Sequence, residues 1–352
     1  MIASYRQKPF ASIIIVTYNS EDYICDCINS VFKQNFPLEI IVVDNCSNDN
    51  TIAVVQSNFP QVKVVKNLKN SGYGAGNNLG IKSAIGEYVV ILNPDTIVNE
   101  NWLSELIKPI RCREKLITTS KILLFDGNTI NTCGNIIHFT GLAFTRGSGS
   151  DSNTYNNFEL VNEISGCSFA IKTEDFYKIG GFDERLFLYH DDVDISCKAH
   201  LMGYDILYVP TSVVRHDYKL KISPQKIYFL EKGRYFILKK YFPGKYLILM
   251  LPSLIISEIL IFGYIINIGG KSFPYKIRAI IDFFLMDIER VSGNIDNLTN
   301  NLSTTIPQNQ LFETKSEKFF LVLANKFYMA NYELIKERPK NPRNIMKWSK
   351  DD

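Results

Sequence analysis

The chain has 352 residues, 46% of them hydrophobic and 21% charged, with a formal net charge of +3 at pH 7. That length suits one large domain with an appendage, or two domains, and the apolar share is enough for a sizeable core. The near-balanced charge excludes a dedicated nucleic-acid binder, which carries a strong basic excess.

The first elements alternate. Ser12 to Thr17 is a β-branched apolar run that reads as a strand buried on both faces. Glu21 to Gln34 has helical spacing, with Ile24, Ile28, Val31 and Phe32 on one side. Glu39 to Val43 is a second buried strand ending at Asp44, followed by a helix over Thr51 to Phe59 and a third strand over Val62 to Val65. A helix over Asn77 to Ile85 leads into a fourth strand, Glu87 to Leu92, which ends in Asn93-Pro94-Asp95. Four strand-helix alternations predict an α/β fold, a Rossmann-like, mostly parallel sheet flanked by helices.

From Trp102 to Tyr155 the periodicity weakens. Ser165 to Lys172 then reads as a strand, Thr173 to Ile179 as a short helix, Gly180-Gly181 as a break, and Asp191 to Met202 as a helix. Asp205 to Val209 and Val213-Val214 read as strands. After Pro224 long helical, aromatic and basic segments appear; Asn294 to Gln310, rich in Asn and Thr, reads as a loop or linker, and Lys315 to Glu337 as a charged helix. The expected parts are a domain over residues 1–220, a helical extension over 221–293, and a linker with a C-terminal helix and tail over 294–352.

In parallel α/β sheets ligands sit outside the carboxyl ends of the strands. Three such ends are polar here: Thr17-Tyr18-Asn19, Asp44-Asn45 and Asn93-Pro94-Asp95. One acid at a strand end is ordinary, but two beside a Thr-Tyr-Asn end make a constellation suited to a ribose or a metal ion. The run Gly72-Tyr73-Gly74-Ala75-Gly76 has Asn77 where a dinucleotide fingerprint needs its last glycine, and it follows the third strand, so the dinucleotide reading is weak. It reads as a flexible turn before a helix, or as backbone that approaches a nucleotide-sugar. His190-Asp191-Asp192-Val193-Asp194 concentrates three carboxylates, which alone would be an ordinary solvated helix start.

Seven stretches in order carry a family resemblance: SIIIVTYNS (Ser12–Ser20), IIVVDNCSNDNT (Ile40–Thr51), NSGYGAGNNLGI (Asn70–Ile81), YVVILNPDT (Tyr88–Thr96), SGCSFAIK (Ser165–Lys172), GGFDERLFLYHDDVDIS (Gly180–Ser196) and GYDILYVPTSVVRH (Gly203–His216). The chain resembles glycosyltransferase family 2, in its rhamnosyltransferase-like branch. The resemblance implies a GT-A fold, and an inverting transfer of a sugar from a nucleotide-sugar (a dTDP-, UDP- or GDP-sugar) to a glycan or lipid-linked acceptor. It implies that Thr17 and Asn19 border the nucleotide, with Gly72 and Asn77 on the donor side, and that Asp44 bonds the base or ribose. Asn93 and Asp95 stand at the family's Asp-x-Asp motif, so Asp95 is the main carboxylate for Mg²⁺ or Mn²⁺, with His216 as a further ligand. Asp192 would be the general base and Asp191 its neighbour, with the reverse assignment open. His190 is structural or acceptor-side, and Asp183 holds a turn. Processive members carry a Gln-x-x-Arg-Trp motif; Gln225 here has Tyr228 at the Arg position, which points to addition of one sugar. Arg234 approaches a phosphate or sits on the surface.

Two alternative functions meet obstacles in the sequence. A sugar nucleotidyltransferase needs a glycine-rich loop after the first strand, where Thr17-Tyr18-Asn19-Ser20 stands. A catalytically inactive assembly partner would not need Asp44, Asp95 and Asp192. The seven cysteines, Cys25, Cys27, Cys46, Cys112, Cys133, Cys167 and Cys197, are odd in number and include no Cys-x-x-Cys pair, which fits reduced cytosolic thiols. Met1 to Phe10 lacks the apolar core of a signal peptide. Tyr246 to Ile268 is long and apolar enough to span a bilayer, but Pro252, Glu258 and Asn267 interrupt it. Association with the cytoplasmic face of a membrane is the favoured reading, with burial against the protein nearly equal to it.

Overall fold

The structure is a computed structural model that describes residues 10–218, 223–308, 310 and 314–335. Residues 1–9, the expected boundary at 220/221 and residues 336–337 of the expected C-terminal helix lie outside the described residues. The chain divides into two compact units. One holds Met1–Asn135, Thr145–Ala199 and Tyr204–Lys221; the other holds Ile136–Phe144, His200–Gly203 and Ile222–Asp352.

The first unit is built on β1 (Ala11–Thr17), α1 (Ile24–Phe32), β2 (Leu38–Asp44), α2 (Thr51–Asn58), β3 (Lys63–Lys66), α3 (Tyr73–Ile81), β4 (Tyr88–Leu92), β5 (Thr96–Val98), α4 (Trp102–Cys112), β6 (Leu116–Leu124) and β7 (Ile130–Thr132). A small ribbon, β8 (Asn135–Ile137) with β9 (Ala143–Thr145), precedes β10 (Glu159–Val161), β11 (Ser168–Lys172), α5 (Thr173–Lys178), α6 (Asp191–Leu201) and β12 (Asp205–His216). The main sheet runs β10-β12-β6-β11-β4-β1-β2-β3, with β5 on β12 and β7 on β6. Pairing is parallel through β4, β1, β2 and β3, as the alternation predicts, whereas β11 enters antiparallel to both β4 and β6. Ile13, Ile14 and Ile15 are fully buried, as a central strand covered on both faces requires. The β1–β2 register sets Thr17 level with Asp44, and β1–β4 pairing runs Ile14 beside Ile91, so the three polar strand ends share one edge of the sheet.

Three elements depart from the sequence reading. The weakly patterned region contains α4 and the fully internal strand β6. Pro109 sits inside α4, and β6 buries Thr118, Thr119, Ser120 and Lys121. Those polar groups are satisfied: Thr118 Oγ1 donates to the Leu106 carbonyl at 2.7 Å, and Lys121 Nζ donates to Ser152 O at 2.6 Å and Thr154 O at 2.8 Å. The helix read over Asn77 to Ile85 starts earlier, at Tyr73, so the glycine run forms its first turns. A Cβ on Gly80 would lie 2.6 Å from Ile14 Cγ2, and one on Gly76 2.7 Å from Val16 Cγ1. The glycines let α3 lie directly on β1.

The second unit contains α7 (Pro224–Tyr241), α8 (Gly244–Asn267), α9 (Phe273–Leu285), α10 (Ile295–Thr299) and α11 (Lys315–Glu333). Ser223 Oγ accepts from the Lys226 N–H, and Pro224 opens α7, where its missing donor costs nothing. Thr314 and Glu317 form a reciprocal capping box on α11. Asn294 to Gln310 is not a free linker: it folds a turn of helix and buries Leu298, Thr299 and Ile306. Arg234 neither reaches a phosphate nor sits on the surface. It is 1% exposed, with Nη1 2.9 Å from Glu231 Oε2, Nη2 2.7 Å from Glu258 Oε1 and Nε donating to the Thr140 carbonyl. Lys276, buried as well, joins both glutamates. Two acids balance two bases here, as charges this deep require.

Candidate active site

Each polar strand end closes into a defined turn. Thr17 Oγ1 lies 3.3 Å from Asp44 Oδ1, and Asp44 Oδ2 accepts from the Ser47 N–H at 3.1 Å. Thr17 and Asp44 are both buried, while Asn19 is exposed and accepts at Oδ1 from the Asn48 N–H at 2.8 Å. Asn45 Nδ2 donates to the Gly72 carbonyl, which ties the second strand end to the start of α3. Gly72 has φ +89°, and a Cβ there would meet the Phe187 carbonyl oxygen at 2.1 Å, so only glycine fits. Asn77 is 1% exposed and donates through Nδ2 to the Tyr73 carbonyl inside α3. Backbone strain gathers in these turns: Asn19, Cys46, Tyr189 and His190 all have positive φ.

Asp95 and His216 are 121 positions apart and meet through sheet pairing. β12 runs antiparallel to β5, placing His216 opposite Thr96, and the Asp217 N–H donates to the Asp95 carbonyl. His216 Nε2 then lies 3.2 Å from Asp95 Oδ1. On the other side of the ring Nδ1 is 3.1 Å from Asn131 Oδ1, and with that oxygen as acceptor Nδ1 carries the proton. Nε2 then faces a buried carboxylate oxygen of Asp95, which it can meet only with a proton or another cation between them. Two facing electron-pair donors call for a cation between or beside them. Burial opposes a proton on His216, but Cys167 and Asp95 outweigh it and hold the imidazole well above its usual range. A divalent ion meets the same demand, so the pair fits the expected Mg²⁺ or Mn²⁺. Among the described residues no three His, Cys, Asp or Glu side chains gather around one point. A bound ion therefore draws its other oxygens from outside these side chains.

The turn at Ser165-Gly166-Cys167 links this pair to the acidic cluster. The Asn93 N–H donates to the Cys167 carbonyl at 3.0 Å, the Cys167 thiol bonds His216, and the Gly166 backbone bonds the Asp192 carboxylate. Asp191 and Asp192 open α6, and they differ in access: Asp191 is 2% exposed, Asp192 partly exposed. Asp191 is held by the Gly74 backbone, and a Cβ on Gly74 would stand 2.6 Å from its Oδ1, so α3 is packed directly on this carboxylate. Asp194 is fully buried and paired with Lys198 at 3.1 Å, a structural role inside α6. Asp183 accepts from the Arg185 backbone and side chain, as a turn residue does.

A third carboxyl escaped the sequence reading. Glu163 is 1% exposed, and Asn135 Nδ2 lies 3.4 Å from its Oε1 and 3.5 Å from Asp192 Oδ2. Burial, then the charge of Asp192, pushes Glu163 well above the usual carboxylate range; burial, then Asp192, does the same to Asp191; burial lifts Asp192. A lone Glu before a Ser-Gly turn carries no motif, so nothing in the primary structure marks it. The raised group stabilises the fold fully below the ordinary carboxylate range and loses that contribution as pH rises through its folded value. Glu163→Gln should therefore raise the melting temperature relative to the parent by an amount that grows from about pH 5 to about pH 8. A difference that stays flat across a pH series of thermal melts would exclude a buried, titrating Glu163.

With this geometry in place, likeness to known proteins is informative. Residues 12–179 match the family described as Glycosyl transferase family 2. A stretch of 100 residues is 40% identical to the poly(ribitol-phosphate) beta-N-acetylglucosaminyltransferase TarS of Staphylococcus aureus, covering 27% of this chain and 18% of that protein. The poly-beta-1,6-N-acetyl-D-glucosamine synthase of Staphylococcus epidermidis is 25% identical over 215 residues, 60% of this chain and 50% of that protein. The chain thus spans half or less of the length of these relatives. In three dimensions, residues 1–349 of S. aureus TarS in complex with UDP-GlcNAc superpose with a TM-score of 0.55 at 20% identity, covering 93% of this chain and 90% of that one. GalNAc-T7 with UDP, GalNAc and Mn²⁺ gives 0.58 at 22% identity, over 71% of this chain and 51% of that one. The GT-A-type fold implied by the resemblance is borne out.

Proposed function

We propose that the chain is an inverting, metal-dependent glycosyltransferase that adds one sugar from a nucleotide-sugar to a glycan or lipid-linked acceptor. The observation that carries this reading is the single Ser165–Cys167 turn, which bonds Asp192 at Gly166 and contacts His216, the partner of Asp95, at Cys167. A base and a cation-demanding pair one turn apart suit a bond exchange at a carbon between an acceptor hydroxyl and a diphosphate.

In this reading Thr17 and Asn19 border the nucleotide, and Asp44, bonded to Thr17 and the Ser47 N–H, fixes the turn beneath it. Gly72 and Asn77 set the backbone of α3 against the donor. Asp95 and His216, with Asn93 beside them, would hold the divalent ion. When bound, that ion stabilises the charge growing on the leaving diphosphate. Asp192 takes the proton of the acceptor hydroxyl as its oxygen bonds to the anomeric carbon. The bond from that carbon to the diphosphate breaks on the opposite face, so configuration inverts. Asp191 stays beneath it, fixed by Gly74, with its own carboxyl held above the usual range by burial and then by the charge of Asp192. Tyr228 at the Arg position of the processive motif supports transfer of one sugar. The absence of a disulfide among the seven cysteines, all of them described, supports a reducing, cytosolic compartment.

The relatives' UDP and N-acetylhexosamine ligands favour UDP-sugars as the first donors to assay, with dTDP-rhamnose beside them for the branch resemblance. Incubation of the chain with each donor and Mn²⁺ should release the nucleoside diphosphate for one donor class and not the others. Thermal shift should show stabilisation by the matching nucleotide. Absence of both release and stabilisation across UDP-, GDP- and dTDP-sugars would refute the proposal.

A further inference from the structure

The second unit carries a surface that sugar transfer does not use. More than half of the exposed large hydrophobic side chains among the described residues lie on α8, α9 and α11. On α8 they form one stripe at helical spacing, Ile248, Leu251, Ile255, Ile259 and Ile266, with Ile248 73% and Ile266 69% exposed. The opposite stripe, Met250, Ser253, Ser257, Ile261 and Ile265, is buried. A helix of 24 residues is about 36 Å long, so this is a long, narrow apolar face. Phe273, Ile277 and Ile281 add a second stripe on α9, and Phe320, Leu323 and Phe327 a third on α11.

Basic side chains flank both ends of the α8 stripe, and Glu317 of α11, bonded to Asn267, is the acid beside its C-terminal end. Glu258, the acid of this helix, turns inward to Arg234 and Lys276. Exposed Lys245 stands at its N-terminal end, Lys271 just past its C-terminal end, and Arg278 follows on α9. A second copy of the chain, paired antiparallel about a two-fold axis, would set Lys245 of one α8 against Lys271 of the other. Like charges would meet there, whereas an anionic surface neutralises both ends. The inner face of α8 also forbids a spanning arrangement. Ser253 Oγ donates to Asn331 Oδ1 at 2.5 Å, Ser257 bonds Tyr328 at 2.9 Å, and Glu258 is locked in the ion cluster, so one whole side of the helix is committed to protein.

We propose that the outer face of α8 lies in the plane of an anionic lipid bilayer, apolar stripe in the acyl boundary and Lys245, Lys271 and Arg278 at the headgroups. The test is co-flotation of the full chain with phosphatidylcholine vesicles and with vesicles that also contain phosphatidylglycerol. The chain should float with the anionic vesicles and detach as salt is raised. Ile255→Asp with Ile259→Asp should weaken flotation by at least about tenfold. Lys245→Ala and Lys271→Ala should each weaken it by about fivefold. Circular dichroism checks that the double variant folds; should it not, the two Lys variants carry the test. The proposal is overturned if the parent floats with neither vesicle, or if the folded variants float as well as the parent. It is overturned in favour of a second copy if sedimentation shows a parent dimer that Ile255→Asp dissociates, with no lipid binding. None of these readouts depends on sugar transfer, so the two proposals fail separately.

Discussion

Asp192→Asn is expected to lower the rate of sugar transfer by about 10²–10⁴-fold while leaving the fold and nucleotide binding in place. The substitution keeps the shape of the side chain and one oxygen able to accept from the surrounding N–H donors of Val193, Gly166 and Asn135, but removes the basic oxygen. Access separates Asp192 from its neighbour. An acceptor hydroxyl can approach a partly exposed carboxylate; it cannot approach Asp191, which is 2% exposed under Gly74. Asp191→Asn should therefore cost less in rate, and should stabilise the protein at neutral pH by removing a buried charge whose proton affinity is raised. Initial rates at saturating donor, with a nucleotide thermal shift on the same samples, distinguish the two. A parent-like rate for Asp192→Asn, or a larger loss for Asp191→Asn, would reverse the assignment of the base.

The second large effect concerns the ion. Asp95→Ala should lower activity more than about 100-fold, because stabilisation of the leaving diphosphate is worth several kcal/mol. Asn131→Ala is the more discriminating change. Asn131 touches the far nitrogen of His216 and neither Asp95 nor Asp192 in its hydrogen bonding. Without it the ring loses the bond that fixes its tautomer, so Mn²⁺ affinity should fall by about 10–100-fold. Calorimetric titration of Mn²⁺ in the presence of UDP reads this directly, apart from turnover. Excess Mn²⁺ should restore much of the rate to Asn131→Ala and little to Asp95→Ala. Equal Mn²⁺ affinity in the parent and Asn131→Ala would remove His216 from the ion site.

What could be read from the chain follows from how each residue's environment is encoded. The strands Ala11–Thr17, Leu38–Asp44 and Tyr88–Leu92 are short apolar runs whose neighbours in sequence are helices. Their burial on both faces leaves little room for polar residues, so composition alone announces them. Their polar ends, Thr17, Asp44 and Asn93, were legible for the same reason, since a polar residue closing such a run marks the sheet edge. The strand Leu116–Leu124 is just as internal but hides. Its buried Thr118, Thr119, Ser120 and Lys121 are tolerated because partners from distant segments satisfy them, and those partners have no local signature. Asn294 to Gln310 misled in the same way: its polar composition says loop, while Leu298 and Ile306 are buried.

By itself, then, the sequence determined the alternating α/β frame, the polar strand ends and the acidic start of α6. Each depends on residues within a few positions of one another. Only the tertiary structure decided which carboxylates are reachable, that Asn131 orients His216, that Glu163 sits beside Asp192, and that Glu258 faces inward. Those outcomes depend on pairing across the sheet and between helices, where residues tens to more than a hundred positions apart share one desolvated space. Burial and hydrogen-bond partners there are properties of the packed chain, and no local pattern encodes them.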